Sequence, residues 1–534
     1  MPKPFRRLPR LALAAAMLCA PALADTVNAR FPRDAHDSAN VFTRMFPELP
    51  PFAAQSDAVR NAARLIGAKG GLLDAQDNLS DPIQAILNQP VFSPDNLDNT
   101  GNALLTAGVT FFGQFLDHDI TLDLRSRLLE RAEPGRTVNF RSTAFDLDSL
   151  YGQGPERSPE LYDTSSGDIK FIVHEIPGSP AVSRKGAMRY DLPRDSAGDA
   201  IIADSRNDEN IILSQLQVAM LRFHNAVSDR LRAERRGVPA RELFAQAQRL
   251  VRWHYQWIIV NEFLPATIGA DRLELIRREG LRYYDVERSR HRDGPSSGPK
   301  IPVEFSVAAY RFGHSQVRPS YRLNFGPDGG APFFVFVFDD QQDPNAADPN
   351  DLRGGRRAPR RFVDWQTFFN FGDGNVRPNK RIDSKLSTIL FQLPGSLAPA
   401  PGLPTDGVQS LASRNLIRHV NFGLPSGQAI ARRMNVPVLT VAQLAELAPH
   451  GMSESTPLWY YILKEAEVKE EGRRLGPVGA RIVGEVFIGL LRADRSSYMA
   501  SEPRWRPTLT SAGGTGTFRM TDLLMMAGVV PPLQ

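Results

Sequence analysis

Apolar residues recur at the three-to-four-residue spacing of amphipathic helices along most of the chain, whereas strand-like alternation is rare. The helical pattern is clearest in Leu104–Leu124, Asn210–Arg232, Arg241–Phe263, Val303–Gly313 and Pro477–Leu491. Phe333–Phe338 is the best short strand, and stretches rich in Pro, Gly, Asp and Arg predict long surface loops. The pattern therefore predicts a mainly α fold, with a single large helical domain, long loops and few short strands.

The first 24 residues have the pattern of a cleavable signal peptide. Four basic residues open the chain, the apolar run Leu11–Ala20 follows, and Ala22-Leu23-Ala24 fits signal peptidase. That run is too short to span a bilayer. We expect a leader over residues 1–24, an N-terminal arm over 25–60 and the main domain over 61–534. The mature protein should be secreted or periplasmic, in a bacterium because an exported animal enzyme of this size usually carries disulfides.

Charge and cysteine content exclude several classes of protein. The formal net charge is +5, but without the four basic leader residues 60 of the 64 Lys and Arg face 59 Asp and Glu. A nearly neutral chain gives no reason to expect nucleic acid or an anionic membrane as partner. The only cysteine, Cys19, lies in the leader. Any metal must therefore be held by histidine, carboxylate or backbone oxygen.

The first chemical motif runs from Phe111 to Ile120 and contains Gln114, His118 and Asp119. On a helix, Gln114 and His118 share one face, and Asp119 is turned away by about 100°. A neutral imidazole can take a proton from one peroxide oxygen and return it to the other, while the amide positions the molecule. Alone, the motif is more typical of a capped or buried structural histidine.

Two further motifs could complete such a site. Arg206, just before the long Asn210–Arg232 segment, can stabilise the negative charge that develops as an O–O bond breaks. His314 follows a glycine at the end of an apolar helix and could ligate iron from the opposite side. Asn415 is a candidate acceptor for its second ring nitrogen. A charged helix start and a helix-capping histidine are the structural alternatives.

The fourth motif is the stretch 142–152, in which Ser142, Asp146 and Asp148 can present oxygen ligands to calcium. Together with Asp119 it supplies three carboxylates, a hydroxyl and backbone carbonyls. A polar turn before a strand is the structural alternative. The four motifs are weak one by one, and their order along the chain is the stronger signal.

The order of these four motifs and their amino-acid sequences resemble those of the animal-type haem peroxidases of the peroxidase–cyclooxygenase superfamily, the family of myeloperoxidase, lactoperoxidase and peroxinectin. The resemblance runs from about Leu104 to Leu491. It implies haem b and calcium as cofactors, hydrogen peroxide and small reducing molecules as partners, and the following residue roles. On the distal side of the haem, where peroxide binds, the residues would be Gln114, His118 and Arg206. On the proximal side, His314 would bind the iron and Asn415 would be its partner. The calcium ligands would be Asp119, Ser142, Ala144 (by its carbonyl), Asp146 and Asp148, and the acids esterified to haem would be Asp117 and Glu209.

The departures from the family pattern bear on the substrate. Asn210 stands where myeloperoxidase has a methionine linked to haem, so iodide, bromide or thiocyanate is favoured over chloride. Cyclooxygenases carry a radical tyrosine where this chain has Arg311; Tyr310 is one residue off.

The resemblance implies a haem peroxidase that oxidises halide, thiocyanate or phenols through a ferryl-haem intermediate. A peroxide-primed fatty-acid dioxygenase and a non-catalytic calcium-binding or adhesion protein are the alternatives. No protein partner is indicated.

Overall fold

A computed structural model describes residues 40–87, 98–167, 169–289, 298–339, 343, 345–394 and 407–530. The expected leader lies outside these residues, as does the first part of the expected arm.

The described chain is built mainly of helices. The α-helices are α1 (Asp57–Ile66), α2 (Pro82–Leu87), α3 (Ala107–Ile120), α4 (Asp148–Tyr151), α5 (Ile211–Glu234), α6 (Ala240–Ile258), α7 (Leu264–Ile268), α8 (Ala270–Glu279), α9 (Val286–Ser289), α10 (Leu411–Asn421), α11 (Gly427–Arg433), α12 (Leu458–Glu470), α13 (Pro477–Ala493), α14 (Tyr498–Ser501) and α15 (Met520–Met526). The 3₁₀ turns are Pro134–Arg136, Pro159–Leu161, Thr164–Ser166, Ser179–Val182, Arg184–Gly186, Ser205–Asp208, Ala309–Gln316, Trp365–Thr367, Thr388–Phe391 and Ala442–His450. The mainly α fold expected from the sequence is confirmed.

Strands form two small antiparallel pairs in the described part of the chain. Strand β1 (His174–Glu175) pairs with β2 (Tyr190–Asp191), and β3 (Ser320–Asn324) pairs with β4 (Phe333–Phe336). The expected strand Phe333–Phe338 is thus confirmed, two residues shorter. No helix among the described residues is long and apolar enough to cross a membrane.

Four of the predicted helices form where the apolar periodicity places them. They are α3, α5, α6 and α13, each within a few residues of its expected ends. The side chain of Asn210 begins α5 by accepting a hydrogen bond from the Leu213 amide at 2.9 Å. At the start of α3, a Cβ on Gly108 would lie 2.6 Å from the Phe368 carbonyl oxygen. A larger residue there would therefore push the helix out of place.

The expected helix Val303–Gly313 is helical but not a regular α-helix. Its first part, Glu304–Ala308, is a wide π-helical turn, and Ala309–Gln316 is a tight 3₁₀ helix. Ala308 breaks the regular backbone between them, with φ −125° and ψ −72°. Apolar spacing predicts burial of one face but does not distinguish the three helix types, and irregular turns of this kind are frequent at functional sites.

The described part of the expected N-terminal arm packs on the main core. Phe42, Met45 and Phe46 are buried in the same apolar cluster as the central helices. The buried Glu304 carboxylate accepts hydrogen bonds from the amides of Met45 and Phe46 at 2.9 and 3.1 Å. The domain boundaries themselves stay predictions.

A buried acid lies at the start of α13. Glu465 on α12 is fully buried, and its Oε2 accepts a hydrogen bond from the Val478 amide at 2.9 Å. Its Oε1 has no hydrogen-bond partner among the described residues. Burial raises the pKa of Glu465 from 4.5 to about 8.

This acid should make the stability of the fold depend on pH. Because the folded pKa of Glu465 exceeds its unfolded value, its contribution is complete below about pH 4.5 and is lost as pH rises through about 8. We expect the Glu465→Gln variant to lose less unfolding free energy than the parent between pH 5 and pH 9, by roughly 2–5 kcal/mol. Chemical denaturation at several pH values measures this. Glu502→Gln, at an exposed position, serves as control, and parallel pH profiles of parent and Glu465→Gln would contradict the expectation.

Candidate active site

A cavity between α3 and the irregular helix 304–316 brings the distant sequence motifs together. Its empty volume is about 1350 Å³, counting its open mouth. His118 and His314, nearly two hundred residues apart, both line it, and Gln114 and Arg206 lie on the same wall as His118. Gln114 and His118 therefore share one face of α3 and Asp119 lies on another, as the helical spacing predicts.

His118 is held as a neutral base. Its Nδ1 lies 2.9 Å from Oδ1 of Asn207, whose own Nδ2 donates to Oε1 of Gln217 at 3.0 Å. That second bond orients the amide, so the Asn207 oxygen accepts a proton on Nδ1 and Nε2 keeps its lone pair. Burial first, and the charge of Arg206 second, lower the pKa of His118 to about 3.

Arg206 is anchored at its backbone and at its guanidinium. Nη2 donates to the backbone carbonyl of His118 at 3.0 Å and to Oδ2 of Asp204 at 2.7 Å. Burial alone would raise the pKa of Asp204, but Arg141 and Arg206 hold it below its usual range. The arginine predicted to stabilise charge therefore has a fixed position beside the predicted base.

The two acids expected to bind haem lie in different surroundings. Asp117 lines the cavity and accepts a hydrogen bond from Thr121 Oγ1 at 2.9 Å; burial raises its pKa. Glu209 accepts a hydrogen bond from Gln114 Nε2, and its Oε1 lies 3.8 Å from His118 Nε2. Glu209 thus contacts the distal residues without being among the cavity-lining residues, while Asp117 is on the cavity wall.

His314 is paired with the residue predicted for it. Nδ2 of Asn415 on α10 lies 2.6 Å from Nδ1 of His314. Oδ1 of Asn415 is buried and has no hydrogen-bond partner among the described residues. Rotating the amide by 180° would let that oxygen accept a proton on Nδ1, which leaves Nε2 for iron. Burial lowers the pKa of His314 well below its ordinary value, so the ring is neutral.

The remaining cavity wall fits a porphyrin. Apolar side chains including Phe263, Val303 and Val307 supply the surface that a flat macrocycle buries. Arg311 and Arg418 also line the cavity, and cationic groups are needed where two propionates lie. Two histidines that line one cavity, an amide oxygen without a described partner beside one of them, and cations at the wall together match the needs of a haem.

Tyr310 also lies on the cavity wall. Its hydroxyl donates to the Gly113 carbonyl on α3 at 3.0 Å, and its ring stacks on Phe305 with centroids 4.8 Å apart. The one-residue offset from the cyclooxygenase position therefore does not remove this tyrosine from the cavity.

The predicted calcium ligands converge below α3. Ligand oxygens of Asp119, Asp146 and Asp148 all lie within 4.8 Å of one another. Ser142 Oγ lies 2.9 Å from Asp146 Oδ1 and 3.4 Å from the Ala144 carbonyl oxygen, so the whole predicted set is in one place. Oxygen ligands at such spacing suit a hard divalent cation.

The electrostatics of this carboxylate cluster also fit a cation. Burial, and then repulsion from Asp146 and Asp148, raise the pKa of Asp119 well above its usual value. Burial and Asp148 raise the pKa of Asp146 to about 7. Leu147, between two of the acids, has a left-handed backbone with φ 62°. Clustered acids, of which Asp119 is buried and Asp146 and Asp148 are half-buried, are costly without a compensating charge, and the left-handed Leu147 adds strain.

Several residues of the site were not predicted from the sequence. They act on predicted residues and have no motif of their own: Asn207 and Asp204 on the distal side, Arg141 beside the carboxylate cluster, and Tyr255, whose hydroxyl donates to Asp119 Oδ2 at 3.0 Å. Only Asp204 left a local signal, since an Asp two residues before Arg206 is typical of a helix N-cap.

Comparison with protein families agrees with this geometry. A family model described as "Animal haem peroxidase" matches residues 124–330, a span that includes Arg206, His314 and the 142–148 loop. His118 and Asn415 fall outside the matched span, so their assignment depends on the resemblance and on their position in the cavity.

Curated relatives carry peroxidase names. The chain is 27% identical over 312 residues to "Peroxidase-like protein" from Margaritifera margaritifera, over 56% of this chain and 38% of that one. It is 27% identical to "Chorion peroxidase" of Drosophila melanogaster, over 66% of this chain and 41% of that one. It is 23% identical to "Peroxinectin A" of Dictyostelium discoideum, over 69% and 64%. The chain thus spans well under half the length of the first two relatives.

Solved structures share the fold. Peroxidase A from Dictyostelium discoideum superposes with a TM-score of 0.52 at 17% identity, over 88% of this chain and 90% of that one. Fatty acid alpha-dioxygenase from Arabidopsis thaliana gives 0.52 at 14%, over 86% and 73%. At such identities the likeness concerns the fold alone. The matched family model, the peroxidase relatives and the shared fold together support a place for the chain in the peroxidase–cyclooxygenase superfamily.

Proposed function

We propose that this chain is a haem peroxidase that reduces hydrogen peroxide and oxidises small reducing molecules. The observation that carries the proposal is one cavity with a neutral, tautomer-fixed His118 beside Arg206 on one wall and His314 paired with Asn415 among its other lining residues. A structural histidine does not need an anchored arginine beside it and a second histidine in the same cavity. The activity of the whole chain is a proposal, because the chain matches only 38% and 41% of the length of the first two curated relatives.

The proton chemistry falls to His118. Haem, when bound through His314, supplies the two-electron redox chemistry of peroxide reduction. Nε2 of His118 accepts a proton from one peroxide oxygen and donates it to the other, which leaves as water. The bond from Nδ1 to Asn207 keeps Nε2 in the basic form, and Gln114 orients the incoming molecule. Arg206 stabilises the negative charge on the departing oxygen.

The reducing substrate and the haem linkage follow from the resemblance. Iodide, bromide, thiocyanate or a phenol fits the proposal better than chloride, because Asn210 caps α5 and replaces the methionine of myeloperoxidase. Asp117 and Glu209 would form the haem esters. Asp117 on the cavity wall is the better placed of the two, and Glu209 reaches the cavity past Gln114.

A calcium ion would hold the distal wall. It would bind Asp119, which directly follows His118, together with Ser142, the Ala144 carbonyl, Asp146 and Asp148. The ion would neutralise one buried and two half-buried carboxylates and tie α3 to the 142–148 loop. Export through the leader over residues 1–24 remains part of the proposal, and we propose no protein partner.

Fatty-acid dioxygenation is the second candidate, favoured by the position of Tyr310. A tyrosine on the cavity wall, hydrogen-bonded to α3, could abstract a hydrogen atom from a lipid once oxidised. Oxygen uptake with linoleate and no added peroxide would favour this activity, and its absence favours the peroxidase.

We expect the two histidines to have separable effects. His314→Ala should abolish the Soret band of the purified protein, because the iron loses its ligand. His118→Ala should keep that band but lower the rate of reaction with peroxide by about 10²–10⁴-fold, the usual size of a general acid–base contribution. Absorption spectra and stopped-flow kinetics measure both.

The control for these variants is His450→Ala, since His450 lies on the helix Ala442–His450 and is not among the cavity-lining residues. It should keep both the band and the rate. A Soret band of parental strength in His314→Ala would contradict the assignment of the iron ligand.

We expect a strong calcium chelator to lower both activity and melting temperature. Removing an ion present at about a thousand times its Kd costs about 4 kcal/mol of stability. Asp146→Asn should reproduce part of the effect, whereas Asp195→Asn, at an exposed loop acid, should not. Calorimetry with and without chelator measures this, and unchanged stability would remove calcium from the proposal.

Acid–organic extraction should leave the haem with the protein after turnover with peroxide, because ester bonds survive the treatment. Asp117→Asn and Glu209→Gln should each lose one linkage, seen as a mass change in the haem-bearing peptide. Complete release of haem from the peroxide-treated parent protein would show that neither acid is esterified.

A further inference from the structure

One buried carboxylate is shared by two arginines between the carboxylate cluster and the distal wall. Asp204 Oδ2 lies 2.7 Å from Arg206 Nη2 and 2.6 Å from Arg141 Nη2. Both guanidinium groups and the carboxylate are at least nine-tenths buried, so water screens these contacts little. Each arginine therefore changes how strongly Asp204 holds the other.

The far side of Arg141 faces the carboxylate cluster. Its Nη1 lies 3.5 Å from Asp148 Oδ1, while Asp148 Oδ2 accepts a hydrogen bond from the Ser142 amide at 3.1 Å. The Arg141 guanidinium thus contacts both Asp148 of the cluster and Asp204, the acid that anchors Arg206. An unbroken chain of charges, Asp148–Arg141–Asp204–Arg206, runs from the cluster to the cavity.

We propose that Arg141 is a positioning residue that couples occupancy of the carboxylate cluster to the freedom of Arg206 through Asp204. The inference rests on the proposed function, which supplies the cation and the haem pocket. It adds a second route between the two sites, independent of the peptide bond that joins His118 to Asp119.

The direction of the coupling follows from the charges. A cation bound to Asp148 takes up much of its negative charge, so Arg141 interacts more with Asp204. Asp204 then holds Arg206 less firmly, and Arg206 is freer to bind an anion at the haem. By thermodynamic reciprocity, an anion that binds Arg206 tightens calcium binding by the same factor.

The first test is a double-mutant cycle on calcium affinity, which needs no haem. Calcium Kd is measured by titration calorimetry on the parent, Arg206→Gln, Arg141→Gln and the double variant. Without the Arg206 guanidinium, Asp204 interacts with Arg141 alone. Arg141 then interacts more strongly with Asp204 and less strongly with Asp148. We expect Arg206→Gln to tighten calcium binding about fivefold more in the parent than in the Arg141→Gln background.

The second test uses the loaded protein with cyanide as the anion. Saturating cyanide should tighten calcium binding about fivefold in the parent and leave it unchanged in Arg141→Gln. Arg141→Lys keeps the charge and should restore part of the effect. Arg189→Gln is the matched control, since Arg189 is similarly buried and pairs with Asp364 at 2.7 Å; it should retain the full parental coupling.

The outcomes separate the inference from the proposed function. Additive effects in the cycle, within about twofold, would overturn the coupling, as would a parent protein that binds no calcium or a cyanide effect that persists in Arg141→Gln. A parent protein without a Soret band would instead contradict the haem peroxidase. The calcium cycle would then still decide whether Arg141 couples the cluster to Arg206.

Discussion

Three consecutive residues of α3, Asp117, His118 and Asp119, point in three different directions. The rest of the site depends on the position of this one helix. Successive side chains of α3 turn by about 100°, so Asp117 and His118 reach the cavity while Asp119 points into the carboxylate cluster. Any rotation or shift of α3 would move all three together. The close approach of Gly108 to the Phe368 carbonyl and the packing of this helix in the core keep it from doing so.

The polar interior of the protein is organised to keep particular groups in particular charge states. Burial removes charge from the His118 and His314 rings, and both become neutral ligands or bases. Arginines do the opposite for Asp204, which stays ionised although it is buried. The same low-dielectric surroundings thus produce bases and fixed charges a few ångströms apart, according to whether a guanidinium is in contact.

Sequence periodicity was sufficient for the fold class and for the helices that carry the chemistry. The α3 and α5 predictions are confirmed because long apolar faces leave few alternatives. The sequence predicts Val303–Gly313 only as a helix, because apolar spacing does not distinguish the π turn Glu304–Ala308 and the 3₁₀ helix Ala309–Gln316 from an α-helix. His118, Arg206 and His314 line one cavity, and their chemical roles stay predictions.

Residues that act only through their neighbours could not be predicted from the sequence. Asn207 and Arg141 have no spacing rule, because each matters only through what the fold places beside it: an imidazole nitrogen in one case, two carboxylates in the other. Motifs identify groups that touch a ligand, and the surrounding contacts become visible only in three dimensions.

The Glu304 carboxylate has a consequence for where a working fragment of this chain can begin. It accepts hydrogen bonds from the amides of Met45 and Phe46, and it begins the irregular segment 304–316 that carries His314. Cutting the chain at residue 61 would leave this acid in an apolar interior with both donors gone. A fragment that keeps these two hydrogen bonds therefore has to include Met45 and Phe46, and a shorter clone would first lose support for the segment that carries His314.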